Sequence, residues 1–310
     1  MSKLRIVFMG SPAFAVPCLE ALLGTEEVLA VVTQPDKPAG RGLELLASAV
    51  KQRALASDVP VMQPASVRKP PFADELRALA PDLCVVVAYG KILPSEVLSI
   101  PRLGCWNVHA SILPKYRGAA PIQWAIIKGE RETGVTLMQM DAGMDTGDML
   151  LTRTLPVDET ITAGELHEQL APLGAEALLA GLGELRAGTL TPAKQDNALA
   201  TAAPMLTKET GRVDFAVGAR AVRDLVRGCE PWPTAYTTLG DEPLKLFRPR
   251  VVSGAGVPGV VMGADRDGLI VGCGADAIAF AELQLPGKKR MSAQALLAGR
   301  PIATGTQLGS

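Results

Sequence analysis

At 310 residues the chain exceeds what one hydrophobic core usually fills, and its 48% apolar content supplies core material for two domains. A net charge of −1 argues against a protein coated in positive potential for nucleic acid, although the stretch from Lys208 onward holds 13 of the 31 Lys and Arg but only 10 of the 32 Asp and Glu. Five scattered cysteines without a Cys-x-x-Cys pair, beside only two histidines, exclude a disulfide framework and a zinc site, and read as reduced core thiols of a cytoplasmic protein.

The β-rich run Leu4 to Met9 ends at Gly10, with Ser11 placed to cap a helix that Pro12 opens. Lys3 and Arg5 ahead of Ile6 to Met9 imitate a signal peptide, but Pro12, Pro17 and Glu20 interrupt the apolar region. A strand, a glycine and a helix suggest a Rossmann-type nucleotide site, yet Gly-x-Gly-x-x-Gly is absent. Val28 to Val32 predicts a second buried strand. The Pro- and Gly-rich stretch Gln34 to Gly42 then predicts an exposed loop without regular structure. Leu83 to Tyr89 is a continuous apolar run, the pattern of a strand buried on both faces of a parallel sheet, and far shorter than a bilayer span.

Residues Gly104 to Pro121 carry the densest chemistry. Asn107 and His109 lie two apart in a short strand-like run, so their polar groups project to one face about 7 Å apart, close enough to hold one reacting carbonyl. The run ends at Ser111-Ile112-Leu113-Pro114, where Pro114 stops the ladder at a strand end. A lone His in an apolar strand is more often a core residue, unless a carboxylate has reason to be near. Asp145, bracketed by Gly143 and Gly147 in a tight loop, is such a carboxylate, though an Asp there commonly serves only the turn.

Thr162 to Glu165 reads as a capping box, and Pro172 as the start of a second helix through Leu178, Leu182 and Leu185; His167 belongs to no motif and reads as structural. Residues 189–206 lack either period and predict a linker. Val217 to Cys229 predicts a helix with Val222, Leu225 and Val226 on one face. Arg220, Arg223 and Arg227 fall opposite, as a solvated face or a phosphate-binding one. The rest reads as short strands with turns at Gly240-Asp241 and Asp265 to Gly268, a small β-barrel by pattern.

The run Asn107 to Pro114, followed by Arg117 to Ile122 and then Met140 to Asp148, resembles the 10-formyltetrahydrofolate-dependent formyltransferases, and within them the branch acting on methionyl-tRNA. The resemblance implies an α/β fold with a Rossmann-like, mostly parallel sheet in an N-terminal formyltransferase domain (1–189). A linker (190–206) and a smaller OB-like β-barrel domain that holds tRNA (207–310) follow. It implies a catalytic trio of Asn107, His109 and Asp145, and a folate-contacting loop of Ser111, Ile112, Leu113 and Pro114. The strand end at Gly90 would lie under the pterin ring. Arg41 would meet the acceptor end of the RNA, with Lys37 and Lys51 nearby, while Leu43, Glu44 and Leu45 stand where such enzymes more often keep lysines. The implied activity moves a formyl group from 10-formyltetrahydrofolate, a cosubstrate, to the α-amine of methionyl-initiator tRNA, with no metal and no membrane, in a cytoplasmic monomer. Formyltransferases acting on a glycinamide ribonucleotide or a sugar nucleotide are expected to resemble the first 189 residues only. A catalytically silent RNA-binding protein on the same scaffold would not need the trio.

Overall fold

The structure is a computed structural model that describes residues 3–39 and 44–309. The chain forms two compact units: Met1–Pro121, Thr133–Leu155 and His167–Pro204 make the first, and Ile122–Glu132, Pro156–Leu166 and Met205–Ser310 the second.

In chain order the elements as far as Pro204 are β1 (Arg5–Gly10), α1 (Val16–Thr25), β2 (Glu27–Val32), β3 (Lys37–Ala39), β4 (Glu44–Leu46), α2 (Ala49–Leu55), β5 (Val61–Met62), α3 (Pro70–Leu79), β6 (Leu83–Val87), α4 (Ser95–Leu98), β7 (Cys105–His109), β8 (Arg117–Gly118), α5 (Pro121–Ile127), β9 (Glu132–Gln139), β10 (Met149–Pro156), α6 (Ala163–Ala187) and β11 (Ala202–Ala203). Seven strands form one sheet in the order β10-β9-β7-β6-β1-β2-β5. The run from β7 through β6, β1 and β2 to β5 is parallel, and β9 pairs antiparallel with β7. Every residue of β6 is buried, as its unbroken apolar run predicts. On one face Val7, Met9, Cys84, Val86 and Cys105 pack with Phe72 and Leu76 of α3.

Four local expectations change. Ser11 caps no helix: its hydroxyl accepts the Gln34 backbone N–H at 3.1 Å, and α1 begins after a short 3-10 turn with Pro17 in its first turn, where no N–H is missed. The Pro-rich loop holds regular structure, a two-stranded pairing of β3 with β4 in which Lys37 opposes Leu46. Pro172 lies inside one continuous helix, because α6 buries Leu166, Leu170, Leu178 and Leu182 along one stripe and that burial outweighs the missing hydrogen bond. Residues 189–204 are part of the first unit: β11 pairs parallel with β8, and Ala193 bridges Met149. The capping box forms as expected, Glu165 accepting the Thr162 N–H at 2.8 Å.

The second unit continues with α7 (Ala219–Gly228), β12 (Tyr236–Leu239), β13 (Glu242–Gly256), β14 (Val261–Asp265), β15 (Gly268–Gly272), β16 (Gly274–Gln284), β17 (Met291–Ser292) and α8 (Ala293–Gly299). Its antiparallel sheet runs β12-β13-β16-β15-β14, with β17 on β16. Leu308 bridges Leu239 on one edge and Gln307 bridges Val260 at the other, so the tail joins the two ends of the sheet as a small barrel requires. The arginine stripe of α7 is not a solvated face. Arg227, 3% exposed, donates to Asp224 and to the carbonyls of Asp158 and Ile161, and Arg223 pairs with Glu159 and Asp224. Residues 156–166 cover the side of α7 that a simple amphipathic reading leaves to water, and of the three arginines only Arg220 is exposed.

Candidate active site

The alternation of β7 sends Asn107 and His109 to one face of the sheet and Trp106 and Val108 to the other. Helix α6 takes the second face, since a Cβ at Gly181 would stand 3.7 Å from Trp106 and one at Gly174 3.0 Å from Val108. The ladder sets Asn107 opposite Val86 and Met138, and His109 opposite Thr136. Asn107 is half-buried, and no hydrogen bond to another described residue occupies its amide. His109 is buried, with Nε2 at 2.9 Å from the Tyr116 carbonyl oxygen. A carbonyl only accepts, so Nε2 carries a hydrogen and Nδ1 faces Asp145.

Asp145 reaches that position through an unusual loop. Its backbone is left-handed, at φ +54, and Gly147 must be glycine because a Cβ would fall 1.8 Å from the Gln139 carbonyl oxygen. Asp145 Oδ2 accepts the Gly118 N–H at 2.9 Å and lies 3.7 Å from His109 Nδ1. His109 and Asp145 therefore stand just beyond direct hydrogen-bond distance of each other, and the close partner of the carboxylate is Gly118.

The loop after β7 is held from β9. Thr136 Oγ1 donates to the Ser111 carbonyl at 2.7 Å and accepts the Leu113 N–H at 3.1 Å, while Ser111 Oγ donates to the Lys115 carbonyl at 2.6 Å. Ser111 and Leu113 are buried, and Ile112 and Pro114 keep partial exposure. At the end of β6, Tyr89 O accepts Gln34 Nε2 at 2.9 Å. Among the basic residues of the first unit, Arg41 lies outside the described residues. Lys51 is not a free cation, for it donates to Asp36 at 2.6 Å and Gln63 at 2.8 Å. Lys51 and then Gln63 hold the Asp36 carboxyl below its ordinary range.

Sequence reasoning missed the residues that brace Asp145. Gln195, from the stretch expected to be a linker, donates to the carbonyls of Asp145 and Gly147, and accepts from Arg117, whose guanidinium also reaches Asn197. Nothing in the spacing around Gln195 marks it, because its partners lie 48 to 78 residues away.

Comparison with known proteins bears on the whole chain. A formyl transferase family model matches residues 4–182, and a formyl transferase C-terminal domain matches 205–301. The chain is 53% identical to the methionyl-tRNA formyltransferase of Pelobacter propionicus, over 100% of this chain and 97% of that one. It is 51% identical to that of Citrifermentans bemidjiense, over 100% and 98%. The N-formyltransferase of Helicobacter canadensis, solved with folinic acid and dTDP-3-aminofucose, is similar with a TM-score of 0.68 at 18% identity, covering 90% of this chain and 99% of that one. That likeness passes well beyond residue 189, so the expectation that formyltransferases for sugar acceptors match only the first 189 residues fails at the level of the fold.

Proposed function

The chain belongs to the methionyl-tRNA formyltransferase family, and we infer from that membership that it transfers the formyl group of 10-formyltetrahydrofolate to the α-amine of methionyl-initiator tRNA. The observation that carries this reading is end-to-end identity of about half the residues to enzymes of that name, through both the catalytic and the C-terminal domains.

In the proposed mechanism the amine attacks the formyl carbon, a C–N bond forms, and the carbonyl oxygen gains negative charge. The intermediate then expels N10 of the folate, and the proton lost by the amine ends on N10. Asn107 has an uncommitted amide to donate to the developing oxyanion. His109 takes part in moving the proton. With Nε2–H already given to Tyr116, Nδ1 is the nitrogen left to exchange a proton, on the side that faces Asp145. Asp145 orients that ring. We assign folate contact to the loop of Ser111, Ile112, Leu113 and Pro114, with Ile112 and Pro114 supplying surface and Ser111 and Leu113 setting its shape. Arg41 is assigned to the RNA. The five free, buried cysteines support a reducing compartment, and we place the enzyme in the cytoplasm as a monomer.

The test is formylation of charged initiator tRNA against charged elongator tRNA, with 10-formyltetrahydrofolate as donor. Strong preference for the initiator is expected. Equal turnover of both, or turnover of an aminosugar nucleotide instead, overturns the acceptor assignment.

A further inference from the structure

Gln195 makes four hydrogen bonds through one side-chain amide. Its Nε2 donates to the carbonyl oxygens of Asp145 at 2.8 Å and Gly147 at 2.7 Å, and its Oε1 accepts from Arg117 Nε at 3.0 Å and from a terminal nitrogen of Arg117 at 2.7 Å. Two donors and two lone pairs are all that an amide offers, so the group is fully committed. Arg117 is followed by Gly118, whose N–H binds Asp145 Oδ2 at 2.9 Å. The contacts close a ring: Asp145 carboxylate to Gly118, along the chain to Arg117, across to Gln195, and back to the Asp145 carbonyl. The Arg117 strand is itself tied down by β11, and its N–H donates to the Thr201 carbonyl at 2.9 Å.

We propose that Gln195 is a positioning residue for formyl transfer: it holds the backbone on both sides of Asp145 so that the carboxylate stays against Gly118 and in range of His109. The need for such a brace follows from the loop. Asp145 sits in a left-handed conformation, which Asp tolerates better than most residues with a Cβ but which extended and right-handed alternatives outcompete unless the backbone is held. Its carboxylate touches His109 only at 3.7 Å, a contact that a small displacement removes. Neither Asn197, which reaches only the guanidinium, nor Lys194, which is exposed and 3.5 Å from Asp148, binds the Asp145 backbone. The proposal rests on the assignment of Asp145 to the catalytic trio.

The experiment is a double-mutant cycle in the full-length enzyme with Gln195→Met, Gln195→Glu, Asp145→Ala and the paired variants. Met fills a similar volume with neither donor nor acceptor. Glu keeps the pairing with Arg117 but turns an oxygen toward two carbonyls. Both substitutions should lower kcat on the order of tenfold to a hundredfold, as expected for a misplaced catalytic group, with KM for folate and for tRNA held within threefold. In the Asp145→Ala background the same Gln195 changes should lower kcat by less than twofold more, since there is no carboxylate left to place. Unaltered kcat in both Gln195 variants, while Asp145→Ala is impaired, overturns the proposal and leaves the trio standing. Full multiplication of the two effects also overturns it, because Gln195 then acts elsewhere. Normal turnover in Asp145→Ala would instead remove the carboxylate, and the brace with it, from the mechanism. Circular dichroism and urea midpoints on each variant separate lost placement from lost fold.

Discussion

His109 has one nitrogen fixed by a backbone carbonyl and the other facing a carboxylate, so the ring has little freedom to turn or to change tautomer. Asn107, two residues earlier, is free to meet a ligand. This difference predicts different costs on removal. Asn107→Ala, His109→Ala and Asp145→Ala should each lower kcat by about a hundredfold, the usual loss when one group that stabilises the transition state is deleted. Asn107→Ala should leave the urea midpoint almost unchanged, because no hydrogen bond to another described residue is lost. Asp145→Ala should lower it, because the Gly118 N–H loses its acceptor. Near-normal turnover in folded His109→Ala would take that residue out of the reaction.

Two helices carry charges whose work is structural. Arg227 in α7 is buried against Asp224 and two carbonyls, so Arg227→Ala should destabilise the protein by roughly 3 kcal/mol, the low end for breaking a buried pair, since Arg223 still faces Asp224. Its effect on the salt dependence of tRNA binding should be nil, and a flattened salt response in a folded Arg227→Ala protein would return this arginine to the RNA surface. At the start of α6, hydrogen bonds from Thr162 N–H and Oγ hold the Glu165 carboxyl below its ordinary range. A depressed folded value means the stabilisation is present above the unfolded pKa of about 4.5 and is lost as pH falls through the folded value. Wild type and Glu165→Ala should therefore differ in urea midpoint at pH 7 and converge as pH falls below 4.5 and through the depressed folded value. A gap that stays constant down to pH 3 would assign the effect to helix propensity instead of the capping carboxylate.

At the scale of the molecule, a nearly neutral chain has to bind a polyanion. Each phosphate it neutralises releases a counterion, so KM for tRNA should rise steeply with salt while KM for the folate does not. With Lys51 held by Asp36 and Gln63, and Arg223 and Arg227 paired internally, few of the cations marked in the sequence remain for RNA. That sharpens the expectation for the loop of the first unit. Arg41→Ala should raise the tRNA KM more than Lys37→Ala, and Glu44→Lys should lower it, with the folate KM unmoved in each. Unchanged tRNA KM in Arg41→Ala and Glu44→Lys across a salt series would leave recognition to the second unit.

The sequence by itself determined what depends on local pattern and on long motifs. The buried central strand at Leu83, the capping box at Thr162, the turns at Gly240 and Asp265, and the family carried by the Asn107 and Asp145 motifs were all readable, because strand alternation, caps and turn residues act over a few positions. Tertiary structure alone decided which polar side chains are shielded from water. Arg223 and Arg227 have the spacing of a solvated face, yet Arg227 is buried and Arg223 half-buried because residues 156–166 pack over them. Gln195 reads as linker and becomes the brace of Asp145 because β11 docks beside β8. Pairings between residues 48 to 78 positions apart leave no periodic mark in a single sequence, since their free energy exists only after the chain has folded around them.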